Sequence, residues 1–175
     1  MIGHSQIAGR PLSGVLVLEL GSNVGAAFAA RLLGGFGARV VKVEPPGEGD
    51  PLRQAPPHIP LGNGQVASTL FLHLAAGKES MALDLMASEG RESLGKLFRH
   101  ADIVIDGLGV RGRLGLGVDW ASLRQENPRA VVTLVDGYGA TGPNRGRPAT
   151  ELTILAESGY LDLCGEPNRE PLKPY

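Results

Sequence analysis

Apolar and polar positions alternate along this chain on two different periods. VLVLEL at Val15 to Leu20, ARVVKVE at Ala38 to Glu44, DIVIDG from Asp102, and Ala130 to Val135 are short apolar runs rich in β-branched residues. Such runs suit strands buried on both faces, as in a parallel sheet. Between the first two, Val24 to Phe36 carries Ala27, Leu32, Leu33 and Phe36 at helical spacing, which predicts a helix ending at Gly37. SMALDL, Ser80 to Leu85, alternates like a further strand. Ser88 to His100 repeats Leu94, Leu97 and Phe98 on a helical period, with Ser88 as a fitting N-cap. Asp119 to Glu126 and Glu151 to Ser158 predict two shorter helices. Thr69 to His73 opens either a helix or a strand.

Strand and helix patterns alternate every 25–30 residues or so, the signature of right-handed βαβ units. The expected fold class is therefore α/β, a Rossmann-like, doubly wound, mostly parallel sheet. Residues 1–10 show no periodicity and are expected to be a flexible lead-in. Residues 11–175 are expected to form one body, because 175 residues suit a single domain. Residues 45–66 hold six prolines and four glycines, which predicts a long surface loop. GLGVRGRLGLG, from Gly107 to Gly117, predicts a glycine-rich turn, and GYGATGPNRGRP another.

Composition narrows the function classes. Seventeen basic residues against eighteen acidic ones give a net charge of −1, which removes the electrostatic footprint of a nucleic-acid binder and of a polybasic membrane surface. One cysteine, Cys164, excludes an internal disulfide and a zinc site of several thiolates. The N-terminal residues lack the pattern of a signal peptide, and no apolar run is long enough to span a bilayer. The expected setting is the reducing cytoplasm.

In sheets of this class, ligands bind beyond the C-terminal strand ends. Those ends are Leu20-Gly21, Glu44-Pro45, Asp106-Gly107 and Asp136-Gly137. The first turn, GSNVGAA, lacks the GxGxxG spacing of a dinucleotide site, so its glycines read best as allowing close helix–strand approach. Glu44 suits either a ribose hydroxyl or a solvated strand end. No GxxxxGK[ST] is present, and the four histidines form no metal-binding pair, so no metal site is expected. Cys164 reads as a small apolar residue, not a nucleophile. Lys78, Arg111 and Arg113 sit in or beside glycine-rich segments, where they suit phosphate contacts or solvated surface charge equally.

The order of segments adds to this. PLSGVLVLELGS, ARVVKVEPPGEGDPLR, GKESMALDL, ADIVIDG, RLGLG and ENPRAVVTLVDGYGATGP together resemble the N-terminal part of class III CoA-transferases of the CaiB/BaiF type. KVEPPGEGDP and DGYGATGP are the most specific pieces. Members of that family are about twice as long or more, so the resemblance implies the first 40% or so of such a protein, with the large domain incomplete. The implied substrate is coenzyme A or an acyl-CoA, with no tightly bound cofactor. The implied chemistry is attack by an aspartate on the thioester to give an enzyme anhydride, with CoA thiolate leaving and returning. That aspartate is expected beyond Tyr175.

The resemblance also assigns residues. Asn23, Val24 and Gly25 in the first turn, with Lys78 and Arg113, match CoA-binding positions. Glu151, in RPATELTILAESG, matches an acidic active-site position, and Thr150 stands where racemases of the family place a histidine, which counts against racemase chemistry. Glu79 replaces a basic residue common beside Lys78. Gly107 and Leu108 replace an Asn-Phe pair near the adenine. The implied partners are a second copy of the chain or a complementing C-terminal chain. Alternative readings are a non-catalytic CoA-binding subunit or truncated relic pairing with a longer homologue, an acyl-CoA racemase relative, and an NAD-dependent oxidoreductase, which would need a GxGxxG that is not present.

Overall fold

The computed structural model describes residues 9–62, 64–166 and 168–172; of the expected lead-in, residues 1–8 lie outside them. The chain divides into two compact units, Met1–Val135 and Asp136–Tyr175.

In the first unit the order is β1 (Leu16–Leu20), α1 (Val24–Gly35), β2 (Arg39–Glu44), a 3-10 turn (Pro51–Gln54), β3 (His58–Gly62), β4 (Gln65–Ser68), α2 (Thr69–Ala75), β5 (Glu79–Ala82), α3 (Ser88–Phe98), β6 (Ile103–Asp106), α4 (Gly109–Leu116), α5 (Trp120–Glu126) and β7 (Val131–Leu134). Five strands make one sheet in the order β5-β2-β1-β6-β7, and every pairing is parallel. The expected Rossmann-like α/β fold is what the structure shows.

The three central strands, β2, β1 and β6, are covered on both faces; the edge strands β5 and β7 are mostly exposed, contrary to the burial expected for Ala130 to Val135. Val17, Val40 and Ile105 pack against Ala26 and Ala30 of α1, whose small side chains let the helix lie close to the strands. On the other face Leu18, Leu20, Val41 and Val104 meet Leu94 and Phe98 of α3 and Trp120 of α5. Burial of these side chains is the main stabilising term, at roughly 25 cal/mol per Å² of apolar surface. From β1 the chain runs outward through β2 to β5, then crosses back to β6 and β7. The direction changes between β1 and β6, so the crevice beyond their C-terminal ends is the expected ligand position.

Three segments depart from the sequence expectation. Residues 45–66 are not one loop: they hold the 3-10 turn and most of an antiparallel β3–β4 hairpin. Its strands are short, one contains Pro60, and their side chains are mostly exposed, so apolar periodicity did not mark them. Residues 109–116 form α4, although Gly109, Gly112 and Gly115 lower its helix propensity. Tertiary contacts of Val110 and Arg113, both buried, hold it in place, and Gly117 ends it in the left-handed conformation. Ser88 is the first residue of α3 and not its cap; Ala87 stands at the cap without a side-chain bond.

The second unit contains α6 (Glu151–Glu157) and a 3-10 turn at Tyr160–Leu163. Thr150 caps α6 in a reciprocal arrangement: its hydroxyl accepts from the Thr153 amide, and the Thr153 hydroxyl oxygen accepts from the Thr150 amide.

Candidate functional site

A cavity of about 310 Å³ opens at the C-terminal ends of β1, β2 and β5. Leu20, Val43, Leu85 and Leu108 give it apolar walls, and Glu44, Asp50 and Asp84 lie at its border. Two turns shape its floor. The β1–α1 turn begins at Gly21, with φ of +81°, against the backbone of Gly107, which leaves no room for a side chain. A Cβ on Gly107 would in turn stand 2.8 Å from the Cβ atoms of Asn23 and Ala26. The glycines of the first turn thus serve close approach, as the sequence suggests.

Asn23 caps α1: its Oδ1 accepts from the Ala26 amide at 3.1 Å. The amides of Val24 and Gly25, the first two helical residues, have no intrahelical acceptor and carry the positive end of the helix dipole. This places the three first-turn residues at a helix N-terminus suited to an anionic group.

The two expected phosphate cations are placed differently. Lys78 is buried, and its ammonium donates to Glu19 Oε2 at 2.5 Å and to the Ala27 carbonyl at 2.7 Å. Burial draws its pKa below the ordinary lysine value, although Glu19 opposes the shift. Arg113 is buried on α4, where its guanidinium donates to Asp106 Oδ2 at 3.2 Å. Asp106 also accepts from Trp120 Nε1 at 2.5 Å and from the Leu108 amide at 2.8 Å. The Asp106 carboxylate at the end of β6 therefore fixes the Gly107–Leu108 turn, and Arg113 completes its shell. Neither cation is a solvated surface charge.

Three residues that the sequence analysis did not name, Glu19, Lys42 and Asp50, organise the cavity wall. Glu19 and Lys42 are direct partners in the β1–β2 register, both buried, with Lys42 Nζ 2.8 Å from Glu19 Oε1. The same ammonium donates to the Gly21 carbonyl at 3.0 Å and lies 2.5 Å from Asp50 Oδ2. Burial pulls the Lys42 pKa down, but Glu19 and Asp50 together raise it above the ordinary lysine value. Two ammonium groups and two carboxylates make a charge-balanced buried chain, Lys78–Glu19–Lys42–Asp50.

Glu44 is neither a free ribose acceptor nor a solvated strand end. It is buried, accepts from Arg53 Nε at 2.7 Å and Nη2 at 2.8 Å, from the Asp50 amide at 2.8 Å and from the Ser80 hydroxyl at 2.6 Å. The Arg53 guanidinium, chiefly, holds the Glu44 pKa at about 2. Arg53 also stacks on Phe71, 4.2 Å from the ring centre. Residues 45–54 thus form a strap along the border of the cavity, through Pro45, Asp50 and Pro51, tied to the sheet by Lys42–Asp50 and Glu44–Arg53. The KVEPPGEGDPLR segment, singled out as specific, encodes its own fastening. On the opposite wall Arg91 donates to the carbonyls of Leu85 and Met86 at 2.9 and 2.7 Å.

Glu151 lies in the second unit, at the first turn of α6, an acidic residue placed favourably for the helix dipole. Among the described residues no three His, Cys, Asp or Glu side chains gather to hold a metal ion, and no helix is long and apolar enough to cross a membrane.

A parallel doubly wound sheet with a cavity at the C-terminal ends of its strands defines a Rossmann-like α/β class. Comparison with known proteins makes it specific. Residues 12–175 match CoA-transferase family III, and the chain belongs to that family. It is 34% identical over 165 residues to succinate–glutarate CoA-transferase of Agrobacterium fabrum, covering 93% of this chain and 41% of that one. It is 36% identical over 166 residues to the beta subunit of succinyl-CoA–L-malate CoA-transferase of Chloroflexus aurantiacus, covering 94% and 40%. The crystal structure of a CaiB/BaiF family protein from Brucella suis superposes with a TM-score of 0.83 at 36% identity, covering 94% of this chain and 43% of that one. The chain spans about two fifths of the length of these relatives.

Proposed function

We propose that this chain supplies the CoA-binding part of a class III CoA-transferase. The observation that carries the reading is the cavity at the C-terminal strand ends, apolar on Leu20, Val43 and Leu108 and flanked by the N-terminus of α1. The flat adenine of CoA suits the apolar walls beside Leu108, and an anionic phosphate suits the amides of Val24 and Gly25. Lys78 and Arg113 contribute positive charge from behind the wall. Their carboxylate partners reduce that contribution, which distinguishes this site from one built on free surface cations.

The transfer itself needs a carboxylate nucleophile, supplied by family sequence beyond the segment matched here. Its oxygen attacks the thioester carbonyl, the C–S bond breaks, and the thiolate leaves as the anhydride forms. Glu151, which matches the family's acidic active-site position, is proposed to act in the transfer step. Coexpression with a polypeptide carrying the remaining three fifths of the family length tests this. CoA exchange between succinyl-CoA and a second carboxylate is expected, slowed in Glu151→Gln with CoA affinity nearly unchanged. Full activity of Glu151→Gln reduces Glu151 to a helix-capping role, and no exchange by any assembled form favours a non-catalytic CoA-binding subunit.

The protein is further proposed to work with a second family chain. The outer face of α1 presents Val24, Phe28, Leu32 and Phe36 at four-residue steps, all exposed. A relative that is itself a beta subunit supports an assembly of like chains.

A further inference from the structure

Lys42 has no contact with the cavity, yet it binds both of the segments that border it. The Lys42 ammonium donates to Glu19 Oε1 at 2.8 Å and to the Gly21 carbonyl at 3.0 Å, and it lies in ion-pair contact with Asp50 Oδ2 at 2.5 Å. Gly21 begins the turn that leads to α1, and Asp50 belongs to the strap. Lys42 is therefore a bridge between two walls of one cavity, built on a residue that is 3% exposed.

The contacts of its neighbours make the bridge specific. Glu19 keeps Lys78 as a second cationic partner, so removing Lys42 leaves its charge balanced. Asp50 holds its other cations, Arg53 and Lys78, beyond ion-pair distance: its Oδ1 accepts from the Leu52 amide, and Lys42 is the cation within ion-pair distance of Oδ2. A buried carboxylate stripped of its nearest counter-charge moves toward water. That motion carries the strap with it, because Asp50 is also the cap of the Pro51–Gln54 turn.

We propose that Lys42 is a positioning residue of the CoA site, holding the strap at residues 45–54 and the Gly21 turn at the spacing the nucleotide end of CoA requires. The proposal rests on the CoA reading for its ligand, but its structural half stands apart. Glu19 and Asp50 are the two carboxylates through which Lys42 acts.

Hydrogen–deuterium exchange of the 175-residue chain, paired with calorimetric titration of CoA, tests both halves. In Lys42→Met, amides of residues 47–54 and 21–23 are expected to exchange at least about tenfold faster, while those of β6 and β7 keep their rates. The CoA dissociation constant is expected to rise about tenfold. Val132→Ala, a change on the edge strand β7 away from the cavity, serves as a destabilised control that leaves CoA affinity alone. If Lys42→Met does not fold, Asp50→Asn keeps the shape of the side chain and is expected to loosen the same strap by a smaller factor. Unchanged strap exchange in a folded variant overturns the proposal, as does a loosened strap with unchanged CoA affinity. Should the unmodified chain bind no CoA, the CoA reading fails, and the exchange rates still decide whether Lys42 holds the strap.

Discussion

Lys42 and Glu19 face each other across adjacent parallel strands, 2.8 Å apart, inside a sheet face whose other members are Val17, Val40 and Ile105. An ion pair in such a place is poor evidence for extra stability, because desolvation offsets much of the attraction. Its value here is geometric. Through Lys78 the pair reaches the Ala27 carbonyl of α1, and through Asp50 it reaches the strap. One buried chain of charges thus registers the helix, the first turn and the cavity wall against the sheet.

The second strap fastening predicts an acid sensitivity. Glu44 is held at about 2, against an ordinary value of 4.5, chiefly by Arg53. A depressed carboxylate contributes stability that is complete above the unfolded value and disappears as pH falls from about 4.5 toward about 2. Thermal unfolding between pH 7 and pH 3 should therefore show a steeper loss for the natural chain than for Glu44→Gln. Glu44→Gln should also lower stability at pH 7 by roughly 1–3 kcal/mol, since it weakens the bonds to Arg53 and Ser80. Parallel curves for the two proteins would remove Glu44 from the account.

Gly107→Ala tests the packing of the two turns. The added methyl would lie 2.8 Å from the Cβ atoms of both Asn23 and Ala26, and both belong to the rigid start of α1. Overpacking of this kind costs roughly 1–3 kcal/mol, so a lower midpoint in urea is expected together with weaker CoA binding. An unchanged midpoint would show that the turns have slack.

Arg113→Ala breaks a buried pair and leaves the Asp106 carboxylate without its guanidinium partner. Stability should fall by roughly 3–5 kcal/mol, the usual cost of stranding a buried charge. In the fraction that folds, CoA affinity should also fall. An unchanged dissociation constant would count against any role of Arg113 at the site. Asp106→Asn combined with Arg113→Ala should be milder than Arg113→Ala alone, which a double-mutant cycle in urea reads directly.

The outer stripe of α1 predicts self-association. Phe28→Glu, and separately Leu32→Glu, should lower the molar mass measured by light scattering toward that of one chain, with the far-ultraviolet spectrum unchanged. A molar mass indifferent to both changes would place the contact elsewhere.

Most of the sheet could be read from the sequence, because β1, β2 and β6 are apolar runs buried on both faces, and β7 is an apolar run although most of its side chains are exposed at the sheet edge. The hairpin and α4 could not, since prolines, glycines and exposed side chains carry no periodic signal there. The site was half legible. Asn23 to Gly25 fall at the helix start because a turn after the first strand must put them there. Glu19 and Lys42 were visible as single charges in apolar runs, but only the strand register makes them partners. Arg113 and Lys78 were selected as cations beside glycines. Whether a cation faces solvent or a buried carboxylate depends on Asp106 and Glu19, neither of which is close in sequence to its exposed alternatives.

Calorimetric titration of CoA into the purified 175-residue chain, with molar mass from light scattering alongside, tests the central claim most directly. Saturable binding in the micromolar range is the result expected of a cavity whose walls are held by Lys42–Asp50 and Glu44–Arg53 within this chain. A folded chain that takes up no CoA would contradict it.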